Sequence, residues 1–322
     1  MDAGAVKRQP PYYESRFVRA NHPYRGQALW LRSTLLLPTS GVPVADSWVM
    51  VFDPDGSGNR ALKVPHSIDQ CDFRDDTWSA RIGATSIDDG TVRGAVGASG
   101  RSAHWDLRIT PGGQAPVKLL TERGYKARFP TAKTMVRHPL ARFDGDVELD
   151  DVRLQVDGWT GSVNHNWGRR HTPAYAFGQV CGFDGSPSSS LEVVTARAAV
   201  GPVLLPAATL LVLRHDGREV AVRSVPASRH THGDYRPFHW TFGARVDDVT
   251  VDGEITAEPH DVIGLTYTDT GGESKYCYNS ALASCRIRLS GSGIAATELT
   301  ASRRAMFEIL TGTRHETVSL LA

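Results

Sequence analysis

The 322-residue sequence is poor in cysteine, with four in all, and it lacks a clear excess of charge of either sign. Cys71, Cys181, Cys277 and Cys285 show no CxxC pair or other zinc-like spacing. We therefore expect free, buried thiols in a reducing cytoplasm, with a Cys277–Cys285 disulfide as the alternative. Lys and Arg number 36 against 35 Asp and Glu. This balance gives no electrostatic reason to expect nucleic acid or an anionic membrane as a partner.

Long apolar runs are also missing. The longest candidate, AAVGPVLLPAATLLVL, is interrupted by Pro202 and Pro206 and falls short of the roughly 18 apolar residues that a membrane helix needs. The N-terminal stretch MDAGAVKRQPPYYESRF has no apolar core of the kind found in secretory signals. We expect a cytoplasmic protein without stable membrane insertion, either a monomer or a homodimer.

Helical periodicity is scarce, and short alternating runs closed by Gly, Asp, Asn or Pro recur instead. Examples are SAHWDLRIT, DVRLQVDGW, TLLVLRHDGREVAV and FHWTFGARV. Alternation with closely spaced turn residues is typical of antiparallel strands in barrels and sandwiches. Only PTAKTMVRH and SALASC look able to form one or two helical turns. The sequence therefore predicts an all-β protein built from two consecutive antiparallel β-barrel or sandwich domains.

A domain boundary is expected near HPLARFDGD, His138 to Asp146, where proline, glycine and charge concentrate before the strand pattern restarts. We place the first β domain at residues 1–143 and the second at 144–322, the second beginning with the motif described next. Each half then carries enough strands to close a barrel.

The densest polar stretch is SVNHNWGRRH, Ser162 to His171. A metal site and a nucleophile are both disfavoured, because the histidine spacing lacks a neighbouring carboxylate and no G-x-S-x-G elbow is present. If the stretch leaves a strand, His165 and Trp167 share one face while Asn164 and Asn166 share the other. An imidazole beside aromatic walls can move protons near neutral pH. The alternative is a structural corner, in which the two amides bond only backbone groups.

Two neighbouring strands carry further candidates. Tyr175 and Phe177 share one face of AYAFGQV. Glu192, in SLEVVTARAAV, shares its face with a valine and an alanine, which predicts a partly buried carboxyl with a raised pKa that could act as an acid. The alternative for Glu192 is an ion pair with Arg197 or Arg169 at a barrel rim.

Charged candidates lie nearby as well. Arg169 and Arg170 could bind an anionic group, although at least one of them is expected at the surface. Asp106, in HWDLR, is either part of a site or one member of a solvated polar face that it shares with His104 and Arg108.

The motif N-H-N-W-G resembles one in the lipocalin-like superfamily of carotenoid 1,2-hydratase (hydroxyneurosporene synthase), tocopherol cyclase and AttH-type proteins. Those proteins carry W-x-D-[HR]-[EQ]-W-G at the start of their second half. The present sequence matches at His165, Trp167 and Gly168. It departs where Ser162 replaces the first Trp, Asn164 the Asp, and Asn166 the Glu or Gln. The segment WDLRI also resembles a strand late in the first domain of those proteins.

The resemblance implies two lipocalin-like barrels with an apolar pocket. It also implies the family chemistry, protonation of an isoprenoid double bond followed by water addition or ring closure. Asn164 cannot donate an acidic proton, so the acid has moved to His165, His171, Asp106 or Glu192, or the reaction needs no strong acid.

The expected function is that of a cofactor-free lyase or isomerase, a cyclase or hydratase of secondary metabolism. It would act by proton transfer on a hydrophobic isoprenoid, polyene or polyketide-like molecule. No dinucleotide fingerprint or P-loop is present, and no metal is expected. The alternative is a non-catalytic carrier of such molecules. We predict catalytic roles for His165, Glu192 and Asn164, and substrate contacts for Trp167, Asn166, His171, Tyr175, Phe177, Arg169 and Asp106.

Overall fold

The computed structural model describes residues 8–200, 203–291 and 294–322, which are almost entirely β-strand. The first sheet contains β1 (Tyr12–Asn21), β2 (Ala28–Leu37), β3 (Val44–Phe52), β4 (Arg60–His66), β5 (Cys71–Arg74), β6 (Ser79–Ile82), β7 (Thr85–Ile87), β8 (Thr91–Ala98), β9 (Arg101–Pro111), β10 (Val117–Lys118), β11 (Ala132–Leu149) and β12 (Val152–Gly168). The second sheet begins with β13 (Ala174–Phe183) and β14 (Ser186–Arg197). A separate two-stranded ribbon follows, formed by β15 (Ala199–Val200) and β16 (Val203–Leu204). The second sheet then continues with β17 (Ala208–His215), β18 (Arg218–Val222), β19 (Thr231–Arg236), β20 (His239–Val246), β21 (Val249–Thr256), β22 (Ile263–Thr268), β23 (Ser274–Gly291) and β24 (Ile294–Thr311). The helices are α1 (Glu122–Lys126) and three short 3-10 turns, Ile68–Gln70, Pro226–His230 and Pro259–Asp261. The predicted all-β architecture is confirmed.

The two large sheets share one topology, although no repeat is visible in the sequence. In the first, β1 lies between β2 and the last strand, β12, and the other strands follow outward on each side. In the second, β13 lies in the same way between β14 and the last strand, β24. Each sheet curls around its own apolar core, and a third apolar cluster joins strands of both sheets. The described part of the chain thus forms two similar antiparallel near-barrels packed against each other.

The chain passes from the first sheet to the second between Gly168 and Ala174. The expected domain boundary at 143/144 does not coincide with this passage. Pro139 and Gly145 lie inside β11, where the pairing with β12 shifts register three times. Gly145 has a φ of 143°, and a Cβ there would lie 2.0 Å from the Asp106 carbonyl oxygen. Proline and glycine therefore mark bulges in a long strand rather than a linker. The motif at 162–168 ends the last strand of the first sheet.

Both helix predictions are wrong. Most of PTAKTMVRH belongs to β11, and SALASC lies within β23. Ala281, Leu282 and Ala283 are buried there, in a strand that pairs with neighbours on both sides, so packing overrides the helix preference of alanine. All four cysteines are free, as predicted. None of the helices within the described ranges has the length and hydropathy needed to cross a bilayer.

Candidate active site between the two sheets

A cavity of about 540 Å³ lies where the two sheets face each other. On β1, Tyr12 and Val18 point into the core of the first sheet, while Tyr13 and Phe17 line the cavity. On β14, Val193 lies in the core of the second sheet and Val194 lines the cavity. Strand alternation thus places the cavity against the outer faces of both sheets. The apolar pocket that the resemblance implies is thus located between the two near-barrels.

Half-buried His171 lines the cavity and pairs with buried Asp269, which lies outside the lining. The His171 ring stacks on Tyr13 at 3.8 Å between ring centroids, and its Nδ1 lies 3.0 Å from Asp269 Oδ1. The His171 backbone N–H also donates to that oxygen, over 3.1 Å. Within the described residues, Nε2 has no hydrogen-bond partner. A carboxylate that orients one ring nitrogen and leaves the other free toward a cavity is the arrangement of a general base.

The protonation states of this pair suit that role. Burial lowers the pKa of His171 and outweighs the opposing effect of Asp269, so the imidazole is neutral at pH 7. Burial alone would raise the pKa of Asp269, but the hydrogen bonds from His171 and the charge of Lys275 outweigh it and hold that pKa well below its usual range. His171 therefore donates Nδ1–H to an ionised Asp269 and keeps a lone pair on Nε2.

A second proton-bearing pair, Tyr175 and Glu308, lines the same cavity. The Tyr175 hydroxyl donates a short hydrogen bond to Glu308 Oε1, and Asn279 Nδ2 donates to Oε2 over 2.9 Å. Burial raises the pKa of Tyr175 well above its ordinary value, so the phenol keeps its proton at neutral pH. A neutral phenol held in place by a buried carboxyl group can orient a ligand by hydrogen bonding.

Arg32 and Tyr267 complete the polar part of the cavity wall. The Arg32 guanidinium donates to the Tyr267 hydroxyl, and its Nε donates to Ser15 Oγ over 2.6 Å. Its central carbon lies 4.7 Å from the centre of the Tyr267 ring and 5.4 Å from that of Trp30. Aromatic faces stabilise a guanidinium that has left bulk water.

Four of the residues predicted to contact substrate line the cavity, namely Asn166, His171, Tyr175 and Phe177. Asn166 Oδ1 accepts a 2.6 Å hydrogen bond from Thr134 Oγ1. The expectation that Asn166 ties a corner to backbone groups is therefore corrected, since its partner is a side chain.

His165 and Trp167 share a face and stack at 4.4 Å, as the alternation predicts, but they lie outside the cavity lining. His165 Nε2 lies 2.9 Å from Glu14 Oε1, and Arg16 also contacts Glu14. Burial lowers the pKa of His165, although Glu14 opposes this effect. Burial would raise the pKa of Glu14, but His165, Arg8 and Arg16 together keep it well below its ordinary value. His165 thus belongs to an ionic cluster on the core side of the first sheet.

Asn164 and Glu192 also lie outside the cavity lining, in a network centred on Gln179. Gln179 Nε2 donates to Asn164 Oδ1 over 2.8 Å and to Glu192 Oε1 over 2.6 Å. Arg19 and Ser162 both donate to Gln179 Oε1. Burial raises the pKa of Glu192 to about 8, the direction that its apolar strand face predicts.

The remaining two candidates are at the surface. Arg169 is exposed, and exposed Asp106 pairs with Arg93 over 2.8 Å, which matches the solvated alternative considered for it. Sequence reasoning missed Arg32, Asp269 and Glu308. Glu308 could have been found as Glu192 was, because it alternates with apolar residues in RAMFEIL.

Replacing His165 tests its role directly. We expect His165→Ala to lower the free energy of unfolding by about 2–4 kcal/mol, because a buried ring is lost from between Trp78 and Trp167 and Glu14 loses a donor. Urea denaturation measures this, with exposed His104→Ala as the control. A His165→Ala protein of unchanged stability that fails to bind or convert a cavity ligand would restore the catalytic assignment.

Known proteins resemble this chain in sequence and in fold. No protein-family model matches the chain. Uncharacterized proteins from two strains of Mycobacterium tuberculosis are each 27% identical over 281 residues, which is 85% of this chain and 80% of each relative.

Solved structures cover nearly the whole chain. A protein described as AttH-like from Nitrosomonas europaea aligns with a TM-score of 0.56 and 12% identity, over 96% of this chain and 98% of that one. Kievitone hydratase from Nectria haematococca aligns with a TM-score of 0.55 and 8% identity, over 94% and 89%. CghA aligns with a TM-score of 0.55 and 13% identity, over 95% and 90%. The chain therefore shares its fold of two antiparallel near-barrels with these three proteins.

Proposed function

We propose that the protein is a cofactor-free lyase or isomerase that transfers protons on a hydrophobic small molecule bound between the two sheets. The observation that carries the proposal is His171 in the wall of a largely apolar cavity of about 540 Å³, with its Nδ1 bonded to Asp269, which lies outside the lining. Such a volume suits a small organic ligand, and an apolar wall with a few convergent polar groups is the usual character of such sites. The fold shared with kievitone hydratase supports a reaction of this type.

Each polar group then has a distinct role. His171 Nε2 removes a proton from carbon, and Asp269 keeps the imidazole oriented and stabilises its charged form. Arg32 stabilises the negative charge that develops on the substrate. The protonated His171 then returns the proton at a second position, which completes a proton shift, while Tyr175, held by Glu308, orients the substrate. The apolar wall excludes water that would otherwise intercept the intermediate.

A non-catalytic carrier is the second candidate, favoured by the continuous apolar side of the cavity that Val194, Ala196 and Leu210 form. The two functions differ in what they require of His171. A carrier needs only shape and apolar surface, so loss of the imidazole would leave binding intact. An enzyme that lost the imidazole would still bind its substrate but would no longer convert it.

Hydrogen–deuterium exchange at an acidic C–H tests the proposal without knowledge of the natural substrate. Wild-type protein is expected to accelerate α-proton exchange of hydrophobic ketones such as 2-tetralone in D2O, as followed by NMR. His171→Asn should lower that rate roughly 100-fold, toward the buffer rate, because a general base contributes about 10²–10⁴-fold.

His239→Asn is the matched control. His239 also pairs with a carboxylate, Glu254, over 2.8 Å, but it lies outside the cavity lining. Equal acceleration by wild type and His171→Asn would remove His171 as the base. Binding of the ketones without acceleration by wild type would favour the carrier.

A further inference from the structure

Half-buried Arg32 differs from the fully buried Arg16 and Arg19 in the hydrogen bonds that its guanidinium makes. Arg16 uses Nε, Nη1 and Nη2 in hydrogen bonds to carboxylates and carbonyls. Arg19 likewise uses all three nitrogens, with Gln179, Asn21 and Cys181 among its acceptors. Arg32 bonds through Nε and Nη1 only, and its Nη2 has no partner among the described residues.

Arg32 also lacks a counter-ion in contact. No carboxylate oxygen of the described residues lies within 4 Å of its guanidinium, in contrast to Arg16, which lies within 3.0 Å of Glu14 and Asp75. Glu308 lines the same cavity, but its two oxygens are taken by Tyr175 and Asn279. Arg32 is half-buried, so an anionic ligand group could pair with it without displacing a protein partner. A charge-assisted hydrogen bond in a partly dry cavity is stronger than one in bulk water.

The position of Arg32 fits a ligand contact. It lines the 540 Å³ cavity and also a second one of about 400 Å³, and the two cavities share Tyr13, His171 and Tyr267 as well. The guanidinium therefore lies at the junction of the two spaces, beside the ring that carries the free Nε2. An anionic group held at Arg32 would bring the neighbouring carbon atoms of a ligand close to His171.

Other cations in the lining do not offer the same site. Lys133 donates its ammonium to the backbone carbonyls of Tyr125 and Ala127. Arg229 is exposed and donates to His230. Among the described cations that line the larger cavity, Arg32 is thus the half-buried one that has a terminal nitrogen without a hydrogen-bond partner.

From this geometry we infer that the ligand is an amphiphile with one anionic oxygen group, a carboxylate or an enolate, which pairs with Arg32 Nη2 while its apolar body lies along Val194 and Leu210. The inference rests on the proposed function and narrows it to acidic hydrophobic substrates. It concerns recognition, so it can be tested apart from catalysis.

Matched probes that differ only in charge provide the test. Fluorescence titration compares cis-parinaric acid with its methyl ester at pH 7.5. Wild type is expected to bind the acid at least tenfold more tightly than the ester. Arg32→Met should lose that preference while its affinity for the ester changes less than threefold, and Arg32→Lys should recover part of it. Arg229→Met, which removes an exposed cation of the same cavity, should still bind the acid more tightly than the ester.

The outcomes separate recognition from catalysis. A wild type that binds ester and acid equally, or binds neither, overturns the inference, as does a preference that survives in Arg32→Met. His171→Asn should keep the preference for the acid. If it does so while ketone exchange is absent from wild type, recognition by Arg32 stands and the proposed catalysis fails. If exchange depends on His171 but wild type does not bind the acid more tightly than the ester, the proposed catalysis stands and the inference about Arg32 fails.

Discussion

Between pH 5 and pH 8.5 the unfolding free energy of the wild-type protein is expected to fall by several kcal/mol relative to that of Glu192→Gln, and about 1 kcal/mol of this difference is lost above pH 7. Burial raises the pKa of Glu192 to about 8 from an ordinary 4.5, although Gln179 and the charges of Arg19 and Arg214 oppose the shift. The folded state therefore holds the proton more tightly than the unfolded chain does. The stabilising contribution of Glu192 to the unfolding free energy is fully present below about pH 4.5 and disappears as the pH rises through 8.

The full difference corresponds to roughly 5 kcal/mol at most, since each pKa unit is worth about 1.4 kcal/mol. Glu192 Oε2 has no hydrogen-bond partner in the described structure, so ionisation would leave a buried charge without direct compensation. Glutamine keeps the shape and the contact with Gln179 and carries no titrating proton. Above pH 8 the variant should therefore be more stable than wild type.

Urea denaturation at intervals from pH 5 to pH 8.5 measures the effect as the difference between wild type and Glu192→Gln. Below pH 7, buried His165 and half-buried His171 contribute an opposite trend, because their lowered pKa values make protonation favour the unfolded chain. Both proteins share that trend, so the difference removes it. Exposed Glu298→Gln is the control. Parallel profiles for wild type and Glu192→Gln would show that Glu192 does not titrate in this range.

Gly161→Ala is expected to cost about 3 kcal/mol or more, enough to leave little folded protein. A Cβ at Gly161 would lie 1.8 Å from the Arg19 carbonyl oxygen and 2.7 Å from Ala20 Cα. Both are backbone atoms of β1, which is paired on both sides and cannot move aside as a side chain could. Displacing Arg19 would also disturb its bonds to Gln179, which join the two sheets.

Thermal denaturation and soluble yield measure this prediction. Gly271→Ala is the matched control, because a Cβ there meets nothing within 4 Å and its backbone has no positive φ. The control should stay within about 0.5 kcal/mol of wild type. A Gly161→Ala protein that melts like the control would mean that β1 and β12 lie further apart than described.

Much of the fold was predictable because strand alternation is a local signal. It correctly placed His165 with Trp167, and it correctly indicated a buried Glu192. It could not reveal that HPLARFDGD is a bulged strand, since proline and glycine look the same at a bulge and at a linker. Nor could it show SALASC as a strand, because the pairing that decides this comes from distant residues.

The candidate site was less predictable for a related reason. Its members come from β2, β12, β13, β22, β24 and the segments that follow β12 and β22. Residues 166–177 contain four of them, but Arg32, Asp269 and Glu308 lie far from that segment in the sequence. The conspicuous motif supplied Asn166 and His171 but also drew attention to His165, which faces the other way. Arg32 and Asp269 carry no signal of their own in the sequence, and only the alternation around Glu308 marks it. Only the packing of one sheet on the other brings them together.

Pairing of the first strand with the last has a consequence for how the protein is made. Glu14 and His165 lie 151 residues apart, so β1 leaves the ribosome long before its partner exists. At about 5–20 residues per second, roughly 8–30 s pass before β12 emerges. During that time β1 presents an open edge to other chains. Folding of each sheet is thus a late, non-local event, and the newly made chain is most prone to aggregate just before its closing strand appears.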